Sequence, residues 1–344
     1  MSMNRHILSC ILILVISVLA NHPLQAQSKV GTSAASFLGI SVGMKATAMG
    51  SAFTAVADDP SAIHWNPGAI SRYPGTAIYA TVSNYLVESQ HTWVGVKVSL
   101  IGNDALGISI NHLDYGDRKM VTSVSQPAGT GEYWEAHDLS MGISYARNIT
   151  DRFSLGGTVK YIEQTIWHEK AWTSAVDLGL LFITQFNGLR IGATIRNFGG
   201  EMRLEGRDLR QRIDIDPQHL GNNETLVAYM KTDSWPIPLS FCIGTAMPIT
   251  VSDQLQLTLA ADAIRPTNND DIFNTGAEIR IYDRICLRAG YQNVLMTDNE
   301  KGFNCGIGLR IPFQNWSVCF DYSFQEFQHF NAVQGFAMNI GFGK

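Results

Sequence analysis

The chain has 344 residues, 45% of them hydrophobic and only 16% charged, with 31 glycines and a formal net charge of −5. About a quarter of residues are charged in an ordinary soluble domain, so the composition argues against one, and the lack of a basic balance excludes a nucleic-acid surface. A helical membrane protein would carry apolar runs of about 20 residues, and the one run that comes close sits at the very start.

That run, "MSMNRHILSCILILVISVLANHPLQAQS", sets Arg5 and His6 ahead of an apolar stretch from Ile7 to Ala20, with Ala26 at a small-residue cleavage position. It reads as a secretory signal peptide over residues 1–26, being short for a membrane anchor. Cys10 lies too early for a lipoprotein site. Its removal leaves Cys242, Cys286, Cys305 and Cys319. An exported chain permits disulfides, but the spacings fit no zinc pattern. These cysteines read as unpaired small residues within strands.

Residues 27–75 form an N-terminal plug or hatch segment. It does not alternate, and "SAASFLGISVGMKATAMGSAFTAVADD" is rich in Ala, Gly, Ser and Met, which pack closely in a confined space. In "ADDPSAIHWNPGAIS", Asp59 caps a short helix with Pro60 at its first position. Pro67 disfavours helical geometry at Asn66, so that turn stops near Trp65. Asn66 and Pro67 then start a second turn through Ala69 and Ile70. The segment is expected to fold as a helical knot at the periplasmic end of a barrel. "GISVG" matches Gly-x-Ser-x-Gly around Ser41, but the elbow and partner residues that motif needs are missing. Packing explains Ser41 better than catalysis.

From residue 76 to 344 the pattern has period two. In "KGFNCGIGLRIPF", Phe303, Cys305, Ile307, Leu309 and Ile311 alternate with Gly302, Asn304, Gly306, Gly308 and Arg310. One face is large and apolar; the other is Gly, Ser and Asn with isolated charges. A soluble sandwich would give that second face to water and fill it with Lys, Glu and Thr. A barrel interior fits better, with Lys97, Lys160, Asp177, Arg190, Arg196, Asp262, Glu278, Arg288, Arg310 and Asp321 facing the lumen and the apolar face meeting lipid. The reading is an all-β transmembrane protein: an antiparallel outer-membrane β-barrel of about fourteen strands of roughly 8–15 residues, over residues 76–344. Short turns at 101–103, 148–151, 186–188, 250–253, 283–284 and 314–315 alternate with longer loops at 115–134, 199–235, 265–271 and 293–300. This is the asymmetry between periplasmic and outer connections. The charged 199–235 loop covers the mouth, touches a partner, or is simply solvated.

Trp93, Trp134, Trp167, Trp172, Trp235 and Trp316 fall near predicted strand ends, where interfacial girdles favour them. The scattered His residues make no metal spacing, and His168-Glu169 reads as solvated loop. No cofactor or metal is expected, and no enzyme.

"MKATAMGSAFTAVADDPSAIHWNPGAIS" ahead of about fourteen strands resembles the PorV/PorQ family of outer-membrane proteins, and more distantly the FadL-type transporters. The matching positions are Gly50, Ala57, Asp58, Asp59, Trp65, Asn66 and Pro67. The usual Asn-Pro-Ala-Gly is here Asn-Pro-Gly68-Ala69. The resemblance implies an exported outer-membrane protein that binds partner or cargo proteins in type IX secretion or surface attachment. Its alternative is a FadL-like channel for hydrophobic small molecules. Either way the plug motif Gly50, Asp58, Asp59, Trp65, Asn66, Pro67 and Gly68 is the site expected to matter. The partners expected are outer-membrane lipid and secretion proteins, or a hydrophobic ligand, with no nucleic acid.

Overall fold

The computed structural model describes residues 31–216, 218, 226–296 and 299–343; the predicted signal peptide, Cys10, residues 27–30 and His219 lie outside the described residues. Fourteen strands form the barrel: β1 Thr76–Asn84, β2 Gln90–Ser99, β3 Asp104–Asp114, β4 Ala136–Asn148, β5 Phe153–Ile166, β6 Glu169–Ile183, β7 Arg190–Gly199, β8 Ser240–Ser252, β9 Leu255–Pro266, β10 Ile272–Ile281, β11 Ile285–Tyr291, β12 Lys301–Pro312, β13 Trp316–Phe327 and β14 Val333–Phe342. Each pairs antiparallel with its chain neighbours, and β14 returns to β1 from Thr76↔Phe342 to Asn84↔Gln334. The ladder therefore closes on itself and leaves no edge, which a strand structure in lipid requires.

The period-two pattern decides which face is outside. Ile108, Ile143, Val159, Leu178, Ile243 and Phe336 all point outward and are exposed. So many large apolar side chains exceed what a water-soluble surface carries, and lipid is the medium that suits them. The stacked pairs Tyr161–Trp172 and Phe313–Trp316 lie toward opposite ends of the outer wall, where aromatic girdles are expected. Among the described residues no helix is long and apolar enough to cross a membrane, which says nothing of strands.

The six predicted short turns are all present at one end, together with the start of β1 and the end of β14. The opposite end carries the long connections 115–135 and 200–239, but also the short ones 85–89, 167–168 and 328–332. The predicted sorting by length thus holds on one side only. Among the described residues of the 200–239 loop, Glu201–Arg203 pairs antiparallel with Ser234–Pro236 and Arg210–Ile213 with Leu226–Tyr229. Glu205–Gly206 adds to the start of β6. The strand pattern thus continues past the mouth on this side.

Candidate functional site

The lumen is filled by the chain's own N-terminal segment. It holds a 3-10 turn at Ser36–Gly39, helix α1 at Met44–Ala48, helix α2 at Ala62–Trp65 and a second 3-10 turn at Pro67–Arg72. It is tied to the long-loop end by Ala34 N–H to Pro236 C=O at 2.9 Å and Ala35 N–H to Gln164 Oε1 at 2.8 Å. At the short-turn end Arg72 donates to Thr150 C=O at 2.8 Å, and Lys97 to Gly75 C=O at 2.8 Å. The segment therefore runs the length of the lumen and is not confined to the short-turn end.

Its turns follow from local chemistry. Asp59 Oδ1 accepts from Ser61 N at 2.8 Å and Ser61 Oγ at 2.5 Å, so the cap forms but α2 begins at Ala62, two residues later than Pro60 at its first position would give. Asn66 leaves helical geometry at φ −156°, as the following proline demands. Its Oδ1 caps the next turn from Gly68 N at 3.1 Å, with Pro67 in the first position. Trp65 Nε1 donates to Val42 C=O at 2.7 Å, closing the knot.

Glycines of the inner face are the seat of this knot. The backbone of Met49 and Gly50 rests on Gly276 and Gly290, and that of Gly68 on Gly179. Gly50 has φ +62°, and a Cβ there would stand 2.6 Å from both Thr275 O and Tyr291 N. A side chain at any of these positions would push two backbones apart. The small inner face is thus a mould for the segment.

The charges on that face hold the segment in two ways. Some grip its backbone: Asp262 Oδ2 accepts from Phe53 N at 3.0 Å and Thr54 N at 2.9 Å, and Arg190 donates to Val56 C=O at 3.2 Å. Lys97 also donates to Tyr73 C=O. Arg196 lies over the Trp65 ring, 5.4 Å from its centroid. Others form ion pairs in the short-turn half: Glu278 meets Arg288 at 2.7 Å and Lys45 at 3.4 Å, Arg288 meets Asp321 at 2.5 Å, and Lys45 meets Asp58 at 2.7 Å. Lys160 and Asp177 pair at 2.5 Å beside the bulge between Val176 and Leu178. Arg310 stands apart, paired with Asp283 of a short turn at 3.1 Å.

Within the segment, burial and the neighbouring Asp58 charge push the Asp59 carboxyl up to about 6. Burial opposes the Asp58 carboxylate too, but the Lys45 ammonium holds it below its ordinary value. Burial and the Arg196 charge hold the His64 imidazole well below its ordinary value, so it is neutral.

The lumen holds two apolar clusters, one around Phe53, Trp65 and Trp93 and one at the long-loop mouth. There Phe37, Leu38 and Ile40 of the segment pack with Leu113, Ile162 and Ile237 of the barrel end in an apolar cluster, with Tyr85 and Leu204 against it. A cleft of about 1020 Å3 opens beside this cluster. At the short-turn mouth a cavity of about 440 Å3 is lined by Asp58, Arg72, Arg190, Arg310 and Trp316 among others.

Several sequence expectations change. Trp93 is no girdle residue: it is 1% exposed, points into the lumen beside Tyr79, and lies over Gly95 on its own strand. His168 is not simply solvated, since Asp208 binds it at 2.6 Å and Arg207 at 2.9 Å, while Glu169 is buried and accepts from Asp208 N at 2.8 Å. Ser41 Oγ bonds Ser51 Oγ at 2.6 Å, which accepts from the Gln292 amide at 2.7 Å; that relay ends in an amide and supplies no base. The four described cysteines are free. Among the described residues no group of His, Cys, Asp or Glu is placed to hold a metal.

Solved channels and transporters share this architecture. The chain is similar to the CymD monoaromatic hydrocarbon channel at 13% identity and a TM-score of 0.58, covering 88% of this chain and 98% of that one. The Ralstonia pickettii toluene transporter TbuX follows at 15% identity and TM-score 0.54, and the P. putida toluene transporter TodX at 12% and 0.54, each with the same coverage. At such identities the likeness carries the fold, a closed FadL-like outer-membrane barrel of fourteen strands. No protein-family model and no curated protein matches the sequence.

Proposed function

We propose that this barrel takes up apolar small molecules at its long-loop mouth and does not conduct ions through its lumen. The observation that carries the reading is the apolar cluster around Phe37 and Leu38. It is an apolar patch at the long-loop end of a lumen that is packed with the N-terminal segment, filled by a second apolar cluster around Phe53, Trp65 and Trp93, and crossed by buried ion pairs. The hydrocarbon channels and toluene transporters that share the fold support it. Binding would draw on apolar area removed from water, roughly 25 cal/mol per Å2, with the packed lumen as a barrier to anything hydrated.

A second reading keeps the PorV/PorQ resemblance: a binding protein in type IX secretion or surface attachment. The paired strand segments of the 200–239 loop, which stand beyond the barrel, favour it as a protein-contact surface. Organic extraction of the gently purified protein separates the two. The leading reading expects an apolar compound released in near-stoichiometric amount. A stable protein partner with no extractable compound would replace it with the second.

A further inference from the structure

Two cations at the short-turn mouth stand in no ion pair among the described residues. Lys45, Arg280 and Arg288, which line an adjoining cavity, each meet a carboxylate. Arg190 instead has its only described side-chain hydrogen bond to Val56 C=O, at 3.2 Å. Arg72 gives its terminal nitrogens to Thr150 C=O and Asp151 C=O, at 2.8 Å and 2.5 Å. The charge of the Asp151 side chain acts on it without forming a pair. The Arg72 Nε–H is buried and meets no acceptor. Arg310 is the third cation here, and its partner Asp283 is 65% exposed. Such surface pairs contribute little, and a guanidinium with five N–H donors has others to spare.

All three guanidinium groups line the cavity of about 440 Å3. The one carboxylate side chain in its described lining is Asp58, already held by Lys45 at 2.7 Å. Val56, Leu181, Ile183, Pro312 and Trp316 give it apolar walls. A neutral hydrocarbon could use those walls but not the cations. A hydrated inorganic anion could use the cations but not the walls. A carboxylate on a compact apolar body uses both, because guanidinium binds carboxylate through two parallel N–H donors. The volume lies in the range of small-ligand sites, about 300–1,000 Å3. The cavity also spans a boundary within the fold. Val56 and Arg72 belong to the N-terminal segment, while Arg190 and Arg310 belong to strands β7 and β12 of the wall. A ligand seated there meets both.

We propose that the short-turn mouth is a binding site for small organic carboxylates with a compact apolar body, and that the bound anion clamps the N-terminal segment to the barrel wall. The site is separate from uptake at the other mouth and stands or falls by its own test. Benzoate is the probe, titrated onto the purified full-length barrel in a neutral detergent at constant ionic strength. Acetate, benzamide and inorganic phosphate are its controls. Benzoate should bind at least tenfold more tightly than any of the three. A ligand that binds only the seated segment stabilises that state, so saturating benzoate should slow hydrogen exchange across residues 54–58 at least fivefold. Arg190→Gln should weaken benzoate binding at least tenfold. Should that variant loosen the segment by losing the Val56 bond, Arg310→Gln decides the matter, since it gives up only the exposed Asp283 pair. It should weaken binding at least fivefold. Phosphate binding as tightly as benzoate would show that charge alone is read, and benzamide doing so would show that only the walls are. Either result overturns the site, as does unchanged benzoate affinity in Arg310→Gln. Tight benzoate binding with unaltered exchange across residues 54–58 would overturn the clamp.

Discussion

Asn66 donates through Nδ2 to the backbone carbonyl of Leu180, 2.9 Å away in the barrel wall. The same amide group donates to Thr54 C=O at 2.9 Å, and its oxygen caps Gly68 N. One fully buried side chain thus joins two turns of the N-terminal segment to strand β6. Asn66→Ala would remove all three bonds and leave buried polar groups without these partners. The expected loss is about 2–4 kcal/mol, seen as lost hydrogen-exchange protection across residues 54–70 while the strands stay protected. Protection equal to the native protein would show that Asn66 is not a tie.

The glycine mould predicts a different failure. Gly290→Val would drive a side chain into the Met49–Gly50 backbone, which cannot rotate away. Overpacking costs roughly 1–3 kcal/mol in ordinary cores, and this contact belongs at the top of that range. Displacing the segment should open the lumen to ions in planar-bilayer recordings. Gly39→Ala, with nothing within 4 Å, should stay closed and stable.

Glu278 stands between Lys45, Arg280 and Arg288 and is 2% exposed. Glu278→Gln would leave their positive charges short of one partner at a buried position. Breaking a buried pair in this way costs about 3–5 kcal/mol. The temperature at which the barrel loses its compact gel mobility should fall clearly, and a gain in that temperature would contradict the ion network as a stabilising tie.

Asp59 gives a pH dependence of known sign. Its folded-state value of about 6 lies above the ordinary 3.8, so the folded protein holds the proton more tightly than the unfolded one. Its contribution to stability is therefore greatest below about pH 4 and is lost as pH rises toward 6. Asp59→Asn keeps an oxygen to accept from Ser61 and removes the charge. It should raise thermal stability at pH 7–8, by roughly 1–3 kcal/mol, and do little at pH 4. A variant less stable than native at pH 8 would show that the charge itself is needed.

The barrel was legible because lipid outside and packed chain inside impose opposite demands on alternate residues. Ile307 and Gly306 could not exchange faces without exposing one to the wrong medium. The capping at Asn66-Pro67 was legible for a local reason, since a proline fixes the geometry of the residue before it. Trp93 was not legible. A tryptophan can point inward here because Gly95 leaves room for its ring, and that space belongs to the folded lumen. The His168–Asp208 contact joins residues forty apart in sequence through a loop whose pairing has no short-range signal. The reach of the N-terminal segment was likewise hidden. A run of small residues announces close packing but carries no direction, and only the ties at Pro236 and Thr150 show which mouth each end meets.

The function proposed for this barrel is uptake of apolar molecules past a lumen that its own chain closes. The most direct measurement compares initial rates of radiolabelled toluene uptake by cells with an intact lipopolysaccharide leaflet, with and without this protein in the outer membrane. Its heat-shifted gel mobility would verify folding in the same cells. Uptake should be several times faster with the protein present, with no added permeability to a small hydrated antibiotic. Equal toluene rates with the folded barrel in place would contradict it.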